Sequence, residues 1–245
     1  MQINVFTIFP DIINDFCSKS LLGKALISNK WKLNAINIRD YSTDKHGKVD
    51  DIPYGGGQGM IMRADVLGNC IDKNCDKNTK ILYMSPRGKI LNQQKIKDLI
   101  QHNNISIICG RYEGIDERVI QKYNIEEISI GDFVLMGGEL ASLVLIESLV
   151  RCIDGVIGNE NSYKEDSFGG TTNNIFNNLL EYPLYTRPEI WNDMKVPDVL
   201  LSGHHKNIEK WKIEQSIKIT KERRPDLYEK YLENKDKDYQ CEIIV

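Results

Sequence analysis

Three segments of this chain place glycine beside polar and charged residues in a way that could build a ligand pocket. They are Ser85-Pro86-Arg87-Gly88, Gly110-Arg111-Tyr112-Glu113-Gly114, and residues 130–139, which run from Ile130 through Gly131, Asp132, Phe133, Val134, Leu135 and Met136 to Gly137, Gly138 and Glu139. Glycine lets main-chain N–H and C=O groups approach a ligand closely. A single such turn needs no more than a strand-to-helix reversal. Three at one edge of a sheet describe a pocket walled largely by main chain, because ligands of open parallel sheets sit outside the carboxyl ends of the strands. A fourth run, Gly55-Gly56-Gly57-Gln58-Gly59, follows a loop rather than a strand, and its spacing misses the dinucleotide pattern. Gly88-Lys89 lacks the upstream glycine of a phosphate loop. An ordinary NAD or NTP site is therefore disfavoured, and residues 55–59 read as a loop that orders on a ligand.

Two charged residues could act on a reacting group. Arg151 follows an apolar helix and could stabilise a developing oxyanion. Asp166 lies in a polar linker, where a carboxylate is usually just solvated; as a general base it would need hydrogen-bond reach of its proton. Spacing alone does not bring the two together. His204 and His205 are adjacent, and neighbours on a helix point to different faces, which argues against a shared metal. Cys70 and Cys75 are the only close pair among six cysteines and are too far apart for the usual zinc hook. Reduced thiols are the simpler expectation.

The elements that must hold these residues follow from periodicity. Residues 2–9 alternate as a strand, 11–28 carry a helical period, and 33–38 alternate again. Residues 41–63 are polar and glycine-rich without a period, and a loop of that length is usually functional or disordered. Short buried strands are expected at 81–84, 105–109 and 127–130, each closed by one of the glycine turns. Helices are expected at 93–102, 117–122 and 138–152. Alternating strands and helices predict an α/β fold with a largely parallel sheet. Residues 155–178, rich in Gly, Asn, Ser and Thr, have linker composition. Residues 179–245 are polar with helical periods, clearest at 207–222, and read as a small C-terminal helical domain. The expected division is 1–158, 159–178 and 179–245.

Charge sharpens the partner class. The 245 residues hold 32 Lys and Arg against 35 Asp and Glu, a net −3. That balance argues against a generally basic nucleic-acid coat protein. It leaves room for a local patch: residues 204–224 hold seven basic and three acidic residues, about +4, with Trp211 among them. Basic residues interleaved with an aromatic suit RNA backbone contact and base stacking, and a solvated helix face would look the same. No apolar stretch is long enough to span a bilayer, and residues 1–10 lack the basic and apolar regions of a signal peptide. A cytoplasmic protein is expected.

Taken in order, the motifs resemble those of the bacterial tRNA (guanine-N1)-methyltransferases of the SPOUT superfamily. The matching text is Phe6-Thr7-Ile8-Phe9-Pro10, Ile38-Arg39-Asp40, Pro53-Tyr54 through Gly59-Met60, Cys109-Gly110 through Glu117-Arg118, Ser129-Ile130-Gly131-Asp132, Gly137-Gly138-Glu139, Tyr185-Thr186-Arg187-Pro188 and Leu200-Leu201-Ser202-Gly203. The match covers both expected domains.

The resemblance implies methyl transfer from S-adenosylmethionine to N1 of guanosine 37, beside the tRNA anticodon. It implies a deep trefoil knot, an exception to the rule against knots, and a homodimer with each site at the subunit interface. By motif match, Tyr83, Met84, Ser85 and Pro86 form one cofactor wall, and Gly110, Tyr112, Glu113 and Gly114 a second. Ile130, Gly131, Asp132, Phe133, Val134, Leu135, Gly137 and Gly138 form the third. Asp166 matches the family's proposed base, and Arg151 the residue that stabilises charge on O6. A magnesium requirement is implied, with no carboxylate cluster marking its site. Contact with tRNA is expected from Lys206, Lys210, Lys212 and Lys218. Residues 169–178 are less like the family than what flanks them. Two other classes stay open on the residues alone: a non-catalytic RNA-binding protein, and a nucleotide-dependent enzyme using residues 55–59.

Overall fold

The computed structural model describes residues 1–157, 168 and 178–242, without the side chains of 235–242. It divides into two units, Met1–Gly158 and Asn159–Val245. Asp166 and most of the expected linker lie outside the described residues.

The first unit alternates strand and helix. In order it contains β1 (Gln2–Thr7), α1 (Pro10–Cys17), α2 (Ser20–Ile27), β2 (Lys32–Asn37), β3 (Asp50–Asp51), β4 (Ile61–Met62), α3 (Ala64–Asn74), β5 (Lys80–Ile90), α4 (Gln93–Leu99), β6 (Asn104–Ile108), α5 (Glu117–Lys122), β7 (Glu126–Ser129) and α6 (Glu139–Arg151). Five strands form one parallel sheet in the order β2-β1-β6-β5-β7. A sheet covered on both faces needs strands apolar on both sides. Alternate residues accordingly feed two cores. Ile3, Val5, Leu82, Ile105 and Ile107 pack with α1, α2, α4 and α6. Phe6, Tyr83 and Ile108 pack with α3 and α5 on the other face.

Three local departures from the sequence expectation have physical reasons. The single helix expected at 11–28 is broken into α1 and α2. A Cβ at Gly23 would fall 2.1 Å from the Ser18 carbonyl oxygen, so glycine lets the chain fold tightly at that corner. The strand expected to close at residues 85–88 continues to Ile90. Its pairing with β7 shifts between Met84 and Lys89, and Pro86, which has no N–H, sits inside that irregularity. Finally, α3 forms where no element is expected. Val66, Leu67, Cys70 and Ile71 make its buried stripe.

The second unit begins, among the described residues, with a strap that includes Leu179 and Tyr182, both buried. A hairpin follows, β8 (Ile190–Trp191) with β9 (Met194–Lys195), turning through Asn192 and Asp193 at positive φ. Then come α7 (Asp198–Leu201), α8 (His205–Arg223) and α9 (Pro225–Glu242). Thr220, fully buried on α8, accepts from the Leu180 N–H at 2.8 Å and donates to the Ser216 carbonyl at 2.6 Å. That side chain ties the strap to the helix.

Candidate functional site

One cavity of about 190 Å³ lies where the middle of β5 meets the turns that follow β6 and β7. The segment 85–88, expected as the first of three glycine turns, is strand, and the other two turns supply the remaining walls. Tyr83, Met84, Ser85 and Pro86 contribute from β5, and Gly110 to Gly114 from the turn after β6. Ile130, Gly131 and residues 133–138 come from the turn after β7. Every residue expected in the cofactor walls lines this cavity except Asp132. Arg111, Met136, Ile128, Ser129 and Ala141 line it too and were not singled out. Arg111, Ser129 and Met136 lie inside the quoted motifs and Ile128 beside one; Ala141, on the first turn of α6, had no separate signal.

Main-chain approach holds the turns together. Gly138 N–H donates to the Gly110 carbonyl at 2.9 Å, and Arg111 bridges Gly137 in antiparallel fashion. A Cβ on Gly138 would fall 2.8 Å from Cys109 Cα and 3.0 Å from Gly110 N. Backbone occupies that space, so only glycine permits the contact. A Cβ on Gly110 would meet the Tyr83 ring at 2.6 Å. Burial raises the Tyr83 phenol above its ordinary pKa, with the Glu127 charge adding to the shift. The ring therefore stands as a neutral wall between turns.

Residues 60–62, just after the glycine-rich loop, attach to the turn at 110–114 by main chain. Glu113 N–H donates to Met60 O at 2.9 Å, and Met62 N–H donates to Gly114 O at 2.9 Å. A Cβ on Gly59 would collide with the Glu113 side chain at 2.5 Å. Tyr54 is 98% exposed, so this loop stands out beside the cavity instead of filling it.

A buried polar cluster lies behind the cavity. Glu139, 2% exposed, accepts from Thr7 Oγ1 at 2.7 Å. Its other oxygen lies 2.8 Å from an Arg111 terminal nitrogen. That approach is charge to charge: Glu139 Oε2 takes no directed hydrogen bond, and Arg111 Nε is buried without one. The guanidinium also lies 4.6 Å over the Phe9 ring.

Arg151 is not part of this cavity. It is exposed at the last position of α6 and lines a separate cleft with Phe16, Leu21 and Glu147. Asp166 lies outside the described residues. In the second unit, Lys206, Lys210 and Lys218 are exposed on one side of α8, with Glu214 between them and 3.9 Å from Lys210. Lys212 differs: its ammonium sits 4.5 Å over the Tyr182 ring. Trp211 is half-buried with its ring 6.2 Å from that of Tyr185.

Chemically, the cavity offers peptide groups from β5 and two turns, apolar faces from Met84, Ile130, Leu135 and Ala141, one carboxylate, Glu113, and the Arg111 guanidinium paired with Glu139. These features fit a ligand with a flat heteroaromatic base and a positive centre. Among the described residues no group of three His, Cys, Asp or Glu could hold a metal ion, and no helix is long and apolar enough to cross a membrane.

Known proteins share this chain's sequence over nearly its full length. The family model described as tRNA (guanine-1)-methyltransferase TrmD matches residues 1–230. A tRNA (guanine-N(1)-)-methyltransferase of Ehrlichia canis (strain Jake) is 52% identical over 229 residues, 93% of this chain and 95% of the relative. Proteins of the same name are 47% identical in Pelagibacter ubique (strain HTCC1062), covering 95% of this chain and 99% of the relative. They are 48% identical in Ruminiclostridium cellulolyticum, covering 96% and 99%.

Proposed function

The chain belongs to the tRNA (guanine-1)-methyltransferase family, and from that premise we propose that it methylates N1 of guanosine 37 in tRNA, using S-adenosylmethionine. The observation that carries this is the convergence of two glycine turns and the middle of β5 on one cavity whose donor set fits that cofactor. When bound, the cofactor supplies an electrophilic methyl group on a sulfonium. The protein's share is then to hold and prepare the guanine.

Guanine N1 carries a proton at neutral pH, so a base must remove it before N1 can attack. Asp166 is assigned that proton, and Arg151 the negative charge that builds on O6 as it leaves. Tyr83 and the turns at 110–114 and 130–138 hold the cofactor and exclude water. Lys206, Lys210, Lys212 and Lys218 are assigned to the tRNA backbone. No step is assigned to magnesium, for which the described residues offer no ligand cluster.

The proposal includes a homodimer. Ile12 and Phe16 on α1 and Leu140 and Val144 on α6 are exposed apolar residues on helices that touch one another. Arg151 continues the Leu140-Val144-Glu147 stripe at helical spacing, so a partner seated on that stripe would receive it. The trefoil knot and a cytoplasmic location belong to the same proposal.

The deciding experiment is a radiolabelled methyl-transfer assay on tRNA transcripts that vary guanosine at positions 36 and 37. Label entering N1 of guanosine 37 is expected. RNA binding without incorporation would replace the enzyme with a non-catalytic RNA-binding protein.

A further inference from the structure

We propose that Glu139, although it does not line the cavity, sets the cavity's preference for a cationic ligand by neutralising Arg111. The inference rests on the S-adenosylmethionine assignment and deepens it.

Among the described residues, the cavity walls contain two charged side chains, Arg111 and Glu113. An unpaired guanidinium in such a wall would repel a sulfonium through a medium that screens poorly. Arg111 is not unpaired. Glu139 lies 2.8 Å from its terminal nitrogen and is itself 2% exposed, so little water competes for the carboxylate. With Arg111 neutralised by a group behind the wall, Glu113 is left as the net charge facing the cavity.

The carboxylate is fixed from a second direction. Phe9 N–H donates to Thr7 Oγ1 at 2.9 Å, and Thr7 Oγ1 donates to Glu139 Oε1 at 2.7 Å. Thr7 ends β1, Arg111 lies in the turn after β6, and Glu139 opens α6 after the turn that follows β7. The Phe9 ring closes the loop under the guanidinium. Arg111 thus has a structural task, to clamp two turns, and a charge unsuited to the ligand. Glu139 allows the first without the second. Glu139 is a positioning and charge-compensating residue; nothing places it on reacting atoms.

The test compares two ligands that differ by one positive charge at sulfur: S-adenosylmethionine and the neutral thioether S-adenosylhomocysteine. Calorimetry would give both affinities for the wild type, Glu139→Gln, Arg111→Gln and the double variant. Glutamine keeps an oxygen for Thr7 and removes the negative charge. In Glu139→Gln the affinity ratio should shift by about tenfold towards the thioether. The double variant, which removes both charges, should restore the ratio. A purely structural role would weaken both ligands together, so an unchanged ratio in Glu139→Gln overturns the inference. Should that variant fail to fold, the double variant compared with Arg111→Gln still decides, because the two differ only in the Glu139 charge. The ratio should move towards the thioether on adding Glu139→Gln, and an unchanged ratio there overturns the inference. A wild type that binds neither ligand overturns the cofactor assignment itself, and the inference with it.

Discussion

Glu139 and Arg151 begin and end one helix, α6, and face opposite environments: the first is buried behind the cavity and the second is exposed. Twelve helical steps separate them by about 18 Å. Within one chain, that places Arg151 well away from the cavity where it is assigned to act. Its action should therefore be in trans. Mixing Arg151→Ala subunits with Gly138→Ala subunits, each inactive alone, should restore methyl transfer. At equal amounts half the dimers are hybrids with one intact site of two, about a quarter of wild-type activity. No restoration, with hybrids shown to form, would mean Arg151 acts in its own chain or not at all.

Gly138→Ala should act by collision. Its backbone has φ of −79°, which alanine adopts freely, so the added Cβ matters only for its 2.8 Å approach to Cys109 Cα. Overpacking against backbone costs roughly 1–3 kcal/mol. Urea unfolding should show that loss, and calorimetry should show cofactor binding abolished or greatly weakened. A variant as stable and as tight as wild type would contradict the close packing of the two turns.

The parallel sheet was legible because strands buried on both faces read as short apolar runs, as at 105–109. The cavity was legible for a related reason, since two of its walls are turns whose glycines are visible in the sequence, while the wall expected as a turn at 85–88 is strand. Arg111 and Glu139 were in view as residues but not as a pair, because their contact joins chain segments 28 positions apart. The α1–α2 break was hidden because both halves carry one apolar period, while the reason for it lies in space at Gly23. Helix α3 was overlooked because Gly68 and Asn69 dilute a four-residue stripe.

Asp166→Ala should leave S-adenosylmethionine binding intact and abolish methyl transfer. Raising the pH deprotonates guanine N1 without help, so residual activity in the variant should climb steeply through alkaline pH. Full activity at neutral pH would remove Asp166 from the role of base.

Alkaline pH should also destabilise the fold. Burial, aided by the Glu147 charge, pushes the Cys17 thiol up to about 11. Burial, with smaller effects from Cys75 and Asp40, pushes Cys70 up to about 12. In the unfolded chain both ionise near 9. Between those values the unfolded state has lost protons that the folded state keeps, so stability falls as pH rises. The contribution is complete below about 9 and is lost as pH passes through about 11 to 12. The urea midpoint should therefore decline above pH 9, and the decline should shrink in Cys17→Ala/Cys70→Ala. A midpoint equally steep in that variant would assign the loss to other groups.

Affinity for tRNA should fall with salt. Lys206→Ala and Lys218→Ala should each lower the slope of log affinity against log salt by about one, because each removes one phosphate contact. Neutralising Lys210, Lys212 and Lys218 together should weaken tRNA binding and leave cofactor binding unchanged. Lys212→Ala alone should also reduce thermal stability, since that ammonium covers the Tyr182 ring. An unchanged salt slope in all these variants would move the RNA surface elsewhere.

The glycine turns have a consequence for inhibition. A compound that recognises the peptide groups of residues 110–114 and 130–138 binds atoms that every amino acid but proline supplies, so few substitutions can delete them. Escape would require a new side chain to block the compound. At Gly110, Gly137 and Gly138 the first atom of such a side chain meets the protein itself within 3 Å. Resistance arising at those three positions would therefore damage the enzyme along with the drug site.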